Sequence, residues 1–157
     1  MFTEITTHLH PIIVHFPIAL IVVALCYDLV IAIMKRSLSP FQGLWIWFVS
    51  ALGAWLSVAT GPEGEARGNT TFIEMHSTLA DITAWAVTLL VAWRLFMIWK
   101  GKRSFVKATL ILYLSLSIIT CGLVLGTGYY GGKMVYTDGV GVKTDGIQVN
   151  PPKHRVH

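Results

Sequence analysis

Charge is what this chain has least of. Only 13% of its 157 residues are Asp, Glu, Lys or Arg, against 54% that are hydrophobic. The mean hydropathy of +0.64 is too apolar for a soluble domain of this size. Cysteine is nearly as scarce: Cys26 and Cys121 stand singly inside apolar runs, in neither a C-x-x-C nor a C-x-x-C-H pattern. That argues against a disulfide scaffold, a zinc knuckle and covalently attached haem, and both read as small buried hydrophobes. A phosphate loop, a nucleophile-base arrangement and a Cys-rich cluster are also missing. An electron-transfer or accessory subunit is therefore a better reading than a stand-alone enzyme. The leader Met1-Phe2-Thr3-Glu4 carries no positive charge, and the apolar run behind it is too long and lacks a small-residue cleavage site, so it reads as a retained span rather than a signal peptide.

Long apolar runs are what the chain does have. Crossing a hydrocarbon core about 30 Å thick takes roughly 20 apolar helical residues, and four stretches qualify, at about 13–33, 43–60, 77–98 and 107–128. Short connections make neighbouring helices antiparallel. The expected fold is an all-α integral membrane protein, an antiparallel four-helix transmembrane bundle over residues 1–130. A short, extended, glycine-rich C-terminal tail follows over 131–157. The glycines of Gly126-Thr127-Gly128-Tyr129-Tyr130-Gly131-Gly132 are expected to end the fourth helix.

The net charge of +4 does not point to nucleic acid, because the positive residues sit in two short loops. One reads Lys35-Arg36-Ser37-Leu38-Ser39-Pro40 and the other Lys100-Gly101-Lys102-Arg103-Ser104-Phe105-Val106-Lys107, while Glu4, Glu63, Glu65, Glu74, Asp138 and Asp145 fall on the opposite side. Lys/Arg excess in short loops marks the cytoplasmic face. Both termini are then expected outside. Tyr129 and Tyr130 at one face, and Trp45 and Trp47 at the other, read as interfacial anchors.

Small and polar residues at helical spacing mark the faces expected to pack inward: Ser50, Ala54, Ser57 and Gly61; Ser77, Asp81, Ala84 and Thr88; Gly122 and Gly126. His8, His10, His15 and His76 gather near the outer ends of helices one and three. The segment from His10 to Pro17 holds two prolines, Pro11 at the expected helix start and Pro17 where a backbone bond is lost, which suggests an irregular start. His10 and His15 are about 140° apart around a straight helix. His15 shares its face with Ala19, Val22 and Cys26 and is expected to look inward, and His76 opens the Ser77/Asp81 face. One histidine from each of two helices suits axial ligation of a haem iron, and imidazole also suits zinc or copper. Asp81, ionisable at membrane depth, is expected inside the bundle beside a histidine. Asp28 is expected to pair with Lys35, Arg36 or Arg94.

Taken together, His10-Pro11-Ile12-Ile13-Val14-His15-Phe16-Pro17-Ile18-Ala19-Leu20, a Gly-rich loop after helix two, a histidine opening helix three, and Gly131-Gly132-Lys133-Met134-Val135-Tyr136 before Gly139-Val140-Gly141-Val142 resemble the bacterial membrane family known as domain of unknown function 2231. The resemblance implies four helices in a bacterial inner membrane, with the termini then on the periplasmic side. Some relatives occur with c-type cytochrome modules, which implies a c-type cytochrome or another redox membrane subunit as partner. The leading expectation is a b-type haem protein or redox subunit, with His15 and His76 as axial ligands of haem b and His10 and Asp81 beside them. The alternatives are a non-haem zinc, copper or quinone site built from His10, His15, His76 and Asp81, or a structural subunit.

Overall fold

The computed structural model describes residues 2–61, 68–145 and 147–150, with side chains throughout except those of 2–9, 143 and 148. Glu63, Glu65 and the end of the tail, named above, lie outside the described residues, as does the side chain of His8. Four helices carry the fold: α1 (Phe2–Lys35), α2 (Leu44–Ala59), α3 (Thr70–Trp99) and α4 (Lys107–Tyr136). Three contain stretches long and apolar enough to cross a membrane, His10–Lys35, Thr70–Trp99 and Lys107–Tyr136. The fourth, α2, is apolar but has 16 residues, a rise of about 24 Å.

Helices α1, α3 and α4 run well past the expected spans. α1 is continuous through Pro11 and Pro17, because each proline removes only one bond of the ladder and α2 leaves room for the second ring. A Cβ at Gly53 would stand 3.3 Å from Cδ of Pro17, so the bare glycine backbone lets the buried proline seat against it. The glycines of α4 do not end it either, and the helix continues to Tyr136. Beyond it, residues 143–144 and 147–148 pair as a small antiparallel hairpin. The carboxylate of Asp138 accepts from the backbone N–H of Asn69 (2.7 Å), the N-cap residue of α3.

The helices form a ring in chain order: α1 packs on α2 and α4, α3 packs on α2 and α4, and α1 and α3 stay diagonal. Two short strands, Ser37–Leu38 (β1) and Phe105–Val106 (β2), pair antiparallel, with Leu38 and Phe105 fully buried. The α1–α2 and α3–α4 connections are therefore fastened together at one end of the bundle. That end carries Lys35, Arg36, Lys100, Lys102 and Arg103 and is called the basic end; the opposite one is the histidine end. The core between them is built from Ile21, Ala24, Trp47, Val87, Tyr113 and Val124 with their neighbours.

Candidate functional site at the two ends of the bundle axis

An α-helix returns to the same face after five turns, 18 residues. His10 and Asp28 are 18 apart on α1, and His76 and Arg94 are 18 apart on α3. Each diagonal helix thus presents one histidine and one charged residue on a single face. The two faces meet along the bundle axis, once at each end.

At the histidine end the rings of His10 and His76 meet edge to face, with centroids 6.4 Å apart and planes at 77°. His76 Nδ1 lies 2.9 Å from the carbonyl oxygen of Thr127 on α4. A carbonyl only accepts, so Nδ1 carries the proton. His10 Nδ1 lies 3.2 Å from Oγ1 of Thr60, whose hydroxyl already donates to the Leu56 carbonyl; here too Nδ1–H is the donor. All four helical segments contribute, and Thr60 and Thr127 set the tautomer and the orientation of the two rings. Glycine suits position 131, where a Cβ would come within 3.1 Å of His76 Cε1 and the ring would have to give way by a few tenths of an ångström.

The other residues expected at this site lie elsewhere. His15 is exposed, and its Nδ1–H turns back to the Pro11 carbonyl of its own helix. The stripe it shares with Ala19 and Cys26 faces outward. The buried face of α1 is instead Pro17, Ile21, Ala24 and Asp28. The structure therefore sets His10, not His15, opposite His76. Asp81 is exposed on α3 and has no partner among the described residues, so it sits beside neither ring. Gly122 is likewise exposed, and a Cβ placed there would meet nothing within 4 Å, whereas Gly126 does face inward, against Leu79. Among the described residues no three of His, Cys, Asp and Glu come together as a metal-ligand set.

At the basic end, Asp28 is fully buried and gathers one donor from each of the other helices. Its Oδ2 accepts from Trp47 Nε1 of α2 (2.8 Å), from Arg94 Nη2 of α3 and from the Tyr113 hydroxyl of α4 (2.8 Å). Of the three cations expected as partners, Arg94 is the one that pairs. Arg94 Nε also donates to the Tyr113 hydroxyl (2.8 Å), and its Nη1 donates to the Gln42 carbonyl. Its guanidinium lies over the Tyr113 ring, 4.9 Å from the centroid. Trp47, expected as an interfacial anchor, is fully buried here. Gly43, which opens α2 with φ of +69°, makes the close packing possible: a Cβ would stand 3.0 Å from the Tyr27 ring and 3.6 Å from Asp28 Oδ1. That second carboxylate oxygen is buried without a hydrogen-bond partner among the described residues.

The model of a family described as Predicted membrane protein (DUF2231) matches residues 6–144. The chain belongs to the DUF2231 family. The matched region takes in all four helices but the start of α1, and with them both axial constellations of this DUF2231 protein. No curated protein and no solved structure matches the chain.

Proposed function

We infer that this is a four-span electron-transfer subunit in which His10 and His76 together hold one metal centre on the bundle axis. Helix α2 runs from the basic end to the histidine end, since Gly43 at its start touches Asp28 and Thr60 at its close touches His10, which supports counting α2 as a fourth crossing. The one-signed loops at the basic end support a cytoplasmic position for it and an outer position for the histidines and both termini.

The observation that carries the metal reading is the pair of fixed Nδ1–H donors. Histidine ligands characteristically give their second ring nitrogen to a carbonyl or other acceptor, which sets the tautomer and aims the ligating nitrogen. At a centroid separation of 6.4 Å the two rings are near enough to serve one ion, an imidazole–metal bond being about 2 Å. His10 and His76 would be enough protein ligands to hold haem b, whereas a structural zinc ion would need further protein ligands beside them, which favours haem b. When bound, haem would supply one-electron exchange; His10 and His76 orient the iron, and Thr60 and Thr127 orient the histidines. A second reading, a small zinc or copper ion, is favoured by the close approach of His76 to Gly131, which limits the room on that side. With no histidine at the basic end, electrons would enter and leave at the outer face, where a c-type cytochrome or another redox subunit would dock.

The purified protein from haem-replete cells should show a Soret band that His10→Ala and His76→Ala each abolish and His15→Ala leaves intact. A colourless protein with stoichiometric zinc or copper would favour the second reading. A colourless, metal-free protein would refute both. A reporter that works only when exported, fused after His157, should be active, and activity there of a cytoplasmic reporter would overturn the topology.

A further inference from the structure

We propose that copies of this chain associate side by side in the membrane, the α1 surface around His15 receiving the α3 surface around Asp81 of the next copy. The inference rests on the membrane placement and not on the metal centre.

The argument starts from depth. His10 and His76 are in ring contact and so mark one level on two helices that run in the same direction. His15 and Asp81 each lie five residues further along, about 7.5 Å deeper, and are therefore level with each other. Both are exposed, and Asp81 has no partner among the described residues. A carboxylate held against lipid is costly, and such residues pair with one another or line a polar path. Within one molecule this pair cannot form, because α1 and α3 are diagonal and their outward faces point away from each other. Between two copies it can. Copies in one bilayer share an axis and a depth, so groups that are level in one molecule are level across neighbours.

The apolar positions follow the same register. One turn beyond Asp81 stands Trp85, 58% exposed and edge-on to Trp55. One turn beyond His15 stands the exposed Ala19, with the exposed Phe16 beside it. A large indole thus comes opposite a small residue, the combination that lets helices approach closely in lipid. A further turn brings Val23 level with Leu89, both exposed. His15 Nδ1–H is held by Pro11, which aims Nε2 away from its own helix backbone. One proton shared between Nε2 and the Asp81 carboxylate completes the pair. Because two different surfaces meet, the contact is heterologous, and rotation about the membrane normal closes it into a ring.

Two differently tagged copies, with Cys26 and Cys121 replaced by alanine, are co-expressed and kept in lipid vesicles. Val23→Cys in one copy and Leu89→Cys in the other should cross-link on oxidation, and neither should cross-link with itself. In copies without those cysteines, Asp81→Ala or His15→Ala should reduce co-purification of the two tags at least several-fold. The exchanged variant His15→Asp with Asp81→His should restore it. Monomers alone, self-cross-linking of either cysteine variant, or cross-links only to a different protein would overturn the proposal.

Discussion

The two ends of the bundle axis use the same geometry for opposite purposes. Both join α1 to α3 across the diagonal and recruit α2 and α4. At the basic end the joint is ionic, fully buried, and has three donors on one oxygen of Asp28. At the histidine end it is made of two half-buried rings, each bonded to a single oxygen of a neighbouring helix among the bonds described above. An ion pair in an apolar interior is intolerant of losing a member, whereas imidazoles can trade protons or ligands without disturbing the packing beneath them. The first arrangement locks the bundle; the second leaves chemistry available.

The largest effect should come from breaking the lock. Arg94→Leu strands the Asp28 carboxylate and should destabilise the protein by about 3–5 kcal/mol, read as a large fall in its thermal unfolding temperature in detergent. Asp28→Leu combined with Arg94→Leu should be far milder than the sum of the single changes; an additive result would mean that the two groups do not depend on each other. Tyr113→Phe removes one hydrogen bond donated to Asp28 and one accepted from Arg94, and should cost about 1–3 kcal/mol. At the other end, His10→Ala and His76→Ala should each leave stability within about 1 kcal/mol while removing the Soret band that the proposed haem predicts, and equal losses at both ends would erase the contrast. The smallest effects belong to α4 glycines. Gly131→Ala must push the His76 ring and should shift the Soret band that the proposed haem predicts, whereas Gly122→Ala meets nothing and should change stability by no more than about 1 kcal/mol, in the stabilising direction.

The helices themselves are legible in the sequence because nothing but a membrane accounts for so many apolar residues at so low a charge. The rotation of each helix is less so. Small residues suggest that His15 and Ala19 face inward, but small residues serve a tight contact and a bland lipid-facing surface equally well. A stronger signal lies in the spacing: Asp28 needs partners in an apolar bundle, and counting five turns back from it reaches His10, just as counting back from Arg94 reaches His76. Asp81 misleads for the reason that makes it conspicuous, since a carboxylate at membrane depth can be satisfied by a neighbouring molecule as well as by its own bundle. The place of Trp47 near a helix end suggests an anchor, and only the need of Asp28 for donors distinguishes it from the exposed Trp45. The glycines of α4 look like a terminator because the ring that needs one of them, His76, is 55 residues away in the chain.

The short β1–β2 pairing has a mechanical consequence. It ties the two helical hairpins together at the basic end, where Leu38 and Phe105 are sealed beneath the connection and the Asp28–Arg94 bridge lies just inside. Drawing the hairpins apart at this end would expose both apolar side chains and the ion pair together, so the connections and the bridge hold or fail as one unit.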